Sequence, residues 1–245
     1  MRETVVLSVV VPVHNEAENL APLMGEIRQA LTGRVSYEIV YVNDGSTDDS
    51  ADRLRALVRT VPELVVLHHR RCCGQSAAIH SGVHRARGRY VATLDGDGQN
   101  DPADIPALLD VLCARPGGGA RMVVGQRTRR HDTVVRRFSS RVANGVRGAL
   151  LRDRTPDTGC GLKVFPRALF LEFPFFDHMH RFLPALALRQ GGEVLSVPVN
   201  HRPRERGRSH YNIGNRLWVG IVDLFGVLWL VRRMKHPERV EEAAS

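Results

Sequence analysis

Two carboxylates stand one residue apart in the segment Asp95-Gly96-Asp97-Gly98-Gln99, which directly follows an apolar run. On a loop that closes a strand, two such side chains can aim at a single hard cation, and oxygen ligands suit Mg²⁺ or Mn²⁺. Such a cation would bridge a pyrophosphate and take up charge as a nucleoside diphosphate leaves. Asp-Gly is also a common turn dipeptide, so this segment alone leaves a solvated turn open as the alternative.

A second acidic segment, NDGSTD at 43–48, follows another apolar run. A carboxylate at Asp44 can hydrogen-bond a base or a ribose, and the glycine after it lets backbone approach a nucleotide. The alternative is a helix start, since Thr47 or Asp48 would supply an N-cap in any case. The segment PVHNE at 12–16 closes the first apolar run in the same way.

The elements that would position these segments alternate between strand-like runs and amphipathic helical periods. The predicted strands are Leu7–Val13, Tyr37–Asn43, Leu64–His68, Tyr90–Leu94 and Met122–Gly125. The predicted helices are Ala17–Leu31, Gln75–Arg85 and Asp104–Ala114. This alternation predicts an α/β fold with a doubly wound, mostly parallel sheet and flanking helices. Ligands of such sheets bind beyond the carboxyl ends of the strands, where both acidic segments fall.

Composition limits the classes of protein and partner. The chain has 245 residues, 43% hydrophobic and 25% charged, as expected for one globular domain with a sizeable core. The net charge of +9 favours anionic partners such as phosphates or acidic lipid. Aromatic residues make up only 6%, and no nucleic-acid-binding module is recognisable, which argues against nucleic acid.

Cysteine and histidine spacing gives no metal motif along the chain. Cys72, Cys73, Cys113 and Cys160 are expected to be reduced thiols in a cytosol. The chain enters its first strand almost directly, so no leader segment is expected. The histidines do not fit a structural zinc pattern.

The ordered set of these segments resembles glycosyltransferase family 2, over roughly residues 7–212. The run GQSAAI at 74–79, together with DGDGQNDP at 95–102, is similar to the polyprenyl-phosphate branch of that family, the dolichyl-phosphate mannose synthase-like enzymes. The resemblance implies the nucleotide-binding GT-A fold. It implies that a UDP- or GDP-sugar is the donor and a lipid phosphate the acceptor. Arginine accounts for 33 of the 35 basic residues, which is typical of GC-rich bacterial codon usage and indicates a bacterial protein.

The same resemblance implies roles for individual residues. Those expected to line the nucleotide sugar are Pro12, His14, Glu16, Asp44, Asp95, Arg204 and Ser209. The cation would be held by Asp97 and Gln99, with Asp95 contacting the ribose or the metal. Arg127 and Arg136 would grip the acceptor phosphate, which a guanidinium fork suits geometrically. Asp157 would bond sugar hydroxyls.

Three activities remain open at this point. A phosphate acceptor is already anionic and needs no strong base, whereas a hydroxyl acceptor does. The chain has no Glu-Asp pair of the kind that hydroxyl-using members carry, which favours the phosphate. The alternatives are transfer to a hydroxyl with Asp157 or Asp153 as base, and a non-catalytic module that binds nucleotide sugar or a membrane surface.

We expect a glycosyltransferase domain over 1–212, an apolar helix over 213–235 and a polar tail over 236–245. The run Leu217–Val231 is too short to span a bilayer, and Asp223 lies near its centre. Trp218, Phe225 and Trp229 fall roughly on one side, as an interfacial helix requires. A core helix or a contact with a second copy of the chain is the alternative. The expected location is peripheral, on the cytoplasmic face of the plasma membrane.

Overall fold

The computed structural model describes residues 4–114, 121–128, 148, 150, 151, 153, 155–204 and 214–234, with backbone alone for 214–218. Its strands are β1 (Leu7–Val13), β2 (Tyr37–Asp44), β3 (Leu64–His69), β4 (Tyr90–Thr93), β5 (Arg121–Arg127), β6 (Lys163–Pro166) and β7 (Glu193–Val199). They form one sheet in the order β3-β2-β1-β4-β6-β5-β7. Six of these strands share one direction, and β6 runs antiparallel to β4 and β5.

Helices cover both faces of this sheet, because successive side chains of a strand point to opposite faces. The described helices are α1 (Leu20–Leu31), α2 (Ser50–Val58), α3 (Gln75–Arg85), α4 (Ile105–Cys113), α5 (Arg167–Leu171), α6 (Leu183–Arg189) and α7 (Gly214–Arg232). Val9 and Val11 pack with residues of α1, α2 and α4, whereas Val10 packs with residues of α3, α5 and α6. The expected doubly wound α/β architecture is confirmed.

The predicted and observed elements differ mainly at their ends and in the second half. Helix α1 begins at Leu20 rather than at Ala17, because the preceding turn is tied by hydrogen bonds from Asn19 to the backbone and side chain of Glu16. Strands β2 and β3 each extend one residue further than predicted. Strands β6 and β7 were not predicted from the sequence.

Helix α7 packs on the domain through its buried side. Val227 and Leu228 lie against Phe182, among other apolar residues. Asp223 Oδ2 lies 3.0 Å from His178 Nδ1, which gives a physical reason for a carboxylate within an apolar helix. The contact between His178 and Asp223 and the apolar packing together attach the helix to the rest of the molecule.

The other side of α7 carries an exposed apolar stripe. Ile221, Val222, Phe225 and Trp229 are 37%, 54%, 61% and 59% exposed, respectively. Phe225 and Trp229 thus lie on the same exposed side of α7, as their spacing predicts. The Trp218 side chain lies outside the described residues. No helix within the described residues has the length and apolar character needed to cross a bilayer.

Candidate active site

The polar segments after β1, β2 and β4 meet at one edge of the sheet. These strands are parallel neighbours, so their carboxyl ends lie side by side. His14 Nδ1 donates to the Asp44 backbone carbonyl at 2.8 Å, and Asn15 Oδ1 accepts from the Thr47 backbone N–H at 2.7 Å. The structure thus brings together the two acidic segments and PVHNE.

Asp95 lies between the start of α3 and the segment that precedes β6. Gln75 Nε2 donates to Asp95 Oδ1 at 2.8 Å. A β carbon at Gly161 would fall 2.2 Å from Asp95 Oδ2, so only glycine leaves room for this carboxylate. Burial and the charge of Asp97 raise the pKa of Asp95 to about 6, although the Lys163 and Arg127 cations oppose the rise. A divalent cation would relieve the repulsion between the two carboxylates.

Asp97 and Gln99, the other two residues predicted to hold the cation, also present oxygen atoms suited to it. Asp97 Oδ1 accepts from the Gln99 backbone N–H at 3.1 Å, which orients its carboxylate. Gln99 Nε2 donates to the Arg202 carbonyl at 3.4 Å, so the amide oxygen is the atom that Gln99 would offer to a cation. Two carboxylates and an amide oxygen are the ligands that Mg²⁺ and Mn²⁺ accept.

Arg127 and Asp157, predicted to have separate roles, form one ion pair. Arg127 Nε and Nη2 donate to the two Asp157 oxygens at 2.7 and 2.8 Å, in a bidentate arrangement. Asp157 is buried and Arg127, the last residue of β5, is half-buried. These contacts use two of the five N–H groups of the guanidinium and fix its plane.

Arg204 and Glu16 form a second pair at the same edge. An Arg204 guanidinium nitrogen donates to Glu16 Oε1, and Asn19 Nδ2 donates to Glu16 Oε2 at 2.7 Å. Burial raises the pKa of Glu16, while the Asn19 hydrogen bond and the Arg204 charge oppose that rise. The pair places Arg204 beside the acidic loops.

Asp44 connects β2 to the segment that precedes α3. Its oxygens accept from the Cys73 and Gly74 backbone N–H groups at 2.8 and 2.7 Å, from His69 Nδ1 at 2.7 Å and from the Cys72 thiol at 3.3 Å. Burial alone would raise the pKa of Asp44, but these hydrogen bonds outweigh it and lower the pKa. The carboxylate therefore organises this loop in addition to its predicted place beside a nucleotide.

Gly45 allows the loop after β2 to lie directly against the backbone of Arg71 and Cys72. Its φ of +62° is in the left-handed region, and a β carbon there would lie 2.4 Å from backbone atoms of Arg71 and Cys72. A larger residue would push the loop away from Asp44.

Some predicted site residues lie outside the described part of the chain, and further residues lie close to the predicted ones. Arg136 and Ser209 lie outside the described residues. Pro12 is part of β1 and half-buried. Gln75, Gly161 and the buried Lys163 were given no individual role from the sequence, although Lys163 is one of only two lysines in the chain.

Comparison with known proteins adds a family match. A family model described as glycosyl transferase family 2 matches residues 8–175. The dodecaprenyl-phosphate galacturonate synthase of Rhizobium johnstonii is 35% identical over 94% of this chain and 69% of its own length. The undecaprenyl-phosphate 4-deoxy-4-formamido-L-arabinose transferase of Edwardsiella ictaluri is 34% identical over 84% of this chain and 63% of its own length. The chain thus spans about two thirds of these relatives.

Solved structures show the same fold. Glucosyl-3-phosphoglycerate synthase from Mycobacterium tuberculosis, in complex with Mg²⁺ and UDP, superposes with a TM-score of 0.68 at 19% identity, over 92% of this chain and 79% of that one. The same enzyme with Mn²⁺, UDP-glucose and glycerol 3-phosphate gives a TM-score of 0.65, with the same identity and coverage. The expected GT-A fold is confirmed by this likeness.

Proposed function

Because this chain belongs to glycosyltransferase family 2, we propose that it transfers a sugar from a UDP- or GDP-sugar to the phosphate of a polyprenyl lipid. The strongest support is the 35% identity, over 94% of the chain, with an enzyme named for dodecaprenyl phosphate. A second relative is named for undecaprenyl phosphate. The reaction is an in-line displacement at the anomeric carbon, with inversion.

The donor would bind across the carboxyl ends of β1, β2 and β4. Pro12, His14, Glu16 and Asp44 border the nucleotide there, and Arg204 lies close enough to meet the diphosphate. Asp95, Asp97 and Gln99 would hold Mg²⁺ or Mn²⁺, and the ion would supply positive charge to the departing nucleoside diphosphate. The fold neighbour described above carries Mn²⁺ together with UDP-glucose, which supports this cofactor.

The contacts of Asp157 support a phosphate acceptor over a hydroxyl. A general base must gain a proton, but both Asp157 oxygens already accept hydrogen bonds from Arg127, at 2.7 and 2.8 Å. The other candidate base, Asp153, is only 2% exposed. An acceptor phosphate needs alignment and charge neutralisation instead of a base, and the Arg127 guanidinium supplies both.

The proposal is tested by incubating the purified protein with radiolabelled UDP- and GDP-sugars, Mn²⁺ and a polyprenyl phosphate. We expect label in a lipid that mild acid releases, because a glycosyl phosphate is acid-labile. Label in an acid-stable glycolipid would indicate a hydroxyl acceptor. Nucleotide-sugar binding without transfer or donor hydrolysis would indicate a non-catalytic module.

Exchanging Arg127 for lysine should damage acceptor use far more than donor binding. Lysine keeps a cation beside Asp157 but cannot make a two-point contact. The loss of one charge-assisted contact to phosphate costs about 1.5–3 kcal/mol, or roughly tenfold to a hundredfold in the Michaelis constant for lipid phosphate. Steady-state kinetics with varied lipid phosphate, and calorimetry with the nucleotide, measure the two effects.

The matched control is Arg121→Lys. Arg121 lies at the other end of β5 and pairs with Glu193 at 2.9 Å, so its replacement also disturbs an ion pair on the same strand. Its kinetics should match those of the wild type. If Arg127→Lys loses nucleotide affinity and keeps its acceptor Michaelis constant, Arg127 belongs to the donor site.

The exposed stripe of α7 is proposed to lie on the cytoplasmic face of the plasma membrane, with a second copy of the chain as the alternative occupant. Arg232 and Arg233 are exposed where the stripe ends and would meet anionic headgroups, at about 1 kcal/mol each near the surface. Large apolar side chains beside cationic ones are typical of interfacial helices.

Flotation with anionic liposomes at low salt should capture the wild-type protein. The double variant Phe225→Ser/Trp229→Ser should float much less, with an unchanged thermal unfolding temperature, because both side chains are already exposed in the fold. Val58→Ser removes an exposed apolar side chain from α2 and serves as the control. If the wild-type protein stays unbound, the stripe is a contact between subunits instead.

A further inference from the structure

Three different ligand atoms meet where β2 and β3 end. The strands are parallel, and their last residues, Asp44 and His69, are direct partners in the register. Cys73 follows in the segment before α3. A carboxylate oxygen of Asp44, a ring nitrogen of His69 and the sulfur of Cys73 all lie within 4.8 Å of one another. One oxygen, one nitrogen and one sulfur thus lie close together, and the Cys73 thiol would turn from the Arg71 carbonyl, to which it donates at 3.3 Å, to join the other two on an ion.

The surrounding residues hold this set in place. His69 directs Nδ1 at Asp44, while its Nε2 lies 2.9 Å from Ser81 Oγ on α3. Metal-binding histidines almost always have their second ring nitrogen fixed by such a partner. Asp44 is in turn held by the Gly74 backbone N–H and the Cys72 thiol. The carboxylate and the imidazole are therefore oriented before any ion arrives.

We propose that Asp44, His69 and Cys73 form a second cation site, which binds Zn²⁺ or a similar borderline-soft divalent ion. Imidazole and thiolate are zinc ligands, whereas Mg²⁺ and Mn²⁺ prefer the all-oxygen set at Asp95, Asp97 and Gln99. Three protein ligands leave one position of a tetrahedral ion for water. This site shares Asp44 with the proposed donor pocket, but ion binding by His69 and Cys73 can be measured without any sugar transfer.

The three proposed ligands differ in solvent exposure, and an ion can reach them from the exposed side. Asp44 is buried, His69 is half-buried and Cys73 is exposed, so the site opens to solvent on the cysteine side. On ion binding the His69 ring proton would move from Nδ1 to Nε2, where Ser81 Oγ can accept it, and the Cys73 thiol proton would be released to solvent. The expectation that the cysteines have no metal arrangement came from their spacing along the chain, which does not reveal Asp44, 29 residues before Cys73.

Cobalt is the appropriate probe, because Co²⁺ replaces Zn²⁺ and its bond to a thiolate gives a near-ultraviolet charge-transfer band. Titration of the full chain with Co²⁺ should produce this band with one equivalent, and Zn²⁺ should abolish it. A large excess of Mg²⁺ should leave it unchanged, since magnesium binds at the oxygen set. The absence of any thiolate band in the wild-type protein would overturn the proposal.

The adjacent cysteines provide a matched pair of variants. Cys73→Ser should lose the band and weaken Zn²⁺ binding by at least about a hundredfold. Loss of a residue that only hydrogen-bonds a metal ligand already weakens metal binding by up to about a hundredfold, and Cys73 is a proposed ligand itself. Cys72→Ser should keep the band, because Cys72 only donates to Asp44 and a serine hydroxyl can do the same. A band that persists in Cys73→Ser, or that disappears in Cys72→Ser, would contradict this ligand set.

Two further variants exclude incidental thiol binding. His69→Gln should lose the band, since an amide does not replace a ligating imidazole. Cys113→Ser, at an exposed cysteine at the end of α4, should keep it. Unfolding temperatures in the absence of metal identify a variant that fails to fold. If His69→Gln fails to fold, the loss or retention of the band in Cys73→Ser decides whether the ligand set is correct, because Cys73 is exposed and its replacement should leave the fold intact. If Cys113→Ser loses the band, the ion is bound elsewhere.

Discussion

Asp97→Ala is expected to abolish sugar transfer and leave the fold intact. Asp97 lies on the loop after β4 and, in the described structure, its carboxylate accepts a hydrogen bond from the Gln99 backbone. Removing it takes away a proposed ligand of the catalytic cation. The stabilisation that such an ion gives the departing diphosphate is worth several kcal/mol, so we expect a loss of about a thousandfold in kcat.

The measurement is donor turnover over a Mn²⁺ titration, with thermal unfolding as the test of the fold. Asp110→Ala, which removes an exposed aspartate from α4, is the control and should match the wild type. Near wild-type activity of Asp97→Ala at saturating Mn²⁺ would show that Asp97 is not a cation ligand.

Gly161→Ala is expected to be nearly as damaging, although glycine has no side chain to take part in the chemistry. The added β carbon would lie 2.2 Å from Asp95 Oδ2 and 2.3 Å from its Cγ, so the carboxylate must move. Displacement of a reacting group by about 1 Å can cost on the order of a hundredfold. The apparent Mn²⁺ affinity and kcat should therefore both fall, since Asp95 no longer lies beside Asp97.

Gly25→Ala is the control for the change from glycine to alanine. A β carbon at Gly25, within α1, meets no atom within 4 Å, so this variant should keep wild-type activity and gain slightly in stability. The decisive comparison is Mn²⁺ affinity at equal folded fraction. If Gly161→Ala binds Mn²⁺ as the wild type does, Asp95 does not contribute to the cation site.

Local sequence pattern predicts the acidic edge of the sheet well. The runs ending at Val13, Asn43 and Leu94 identify three strands, and parallel strands place their following loops together. Strand β6 escapes this reasoning because it runs antiparallel to both of its neighbours, outside the alternation of parallel strands and helices. It is nevertheless the strand that carries Lys163, two residues after the Gly161 that makes room for Asp95.

Side-chain pairing is the part that local pattern does not reveal. Arg127 and Asp157 are 30 residues apart in the chain. The sequence predicts an acceptor phosphate as the partner of Arg127 and sugar hydroxyls as the partners of Asp157, whereas in the structure the two side chains form one ion pair. Asp44 likewise finds its partners 25 to 30 residues later in the chain. Which polar groups satisfy one another depends on sheet order and loop path, and neither follows from residue spacing within one segment.

The three residues 73–75 join the two acidic loops directly. The backbone N–H groups of Cys73 and Gly74 hold Asp44, and the side chain of the next residue, Gln75, holds Asp95. A ligand that shifts one of these two carboxylates therefore also shifts the other, because the three residues 73–75 supply hydrogen-bond partners to both. By thermodynamic reciprocity, the factor by which a cation at Asp95 strengthens nucleotide binding beside Asp44 equals the factor by which the nucleotide strengthens cation binding.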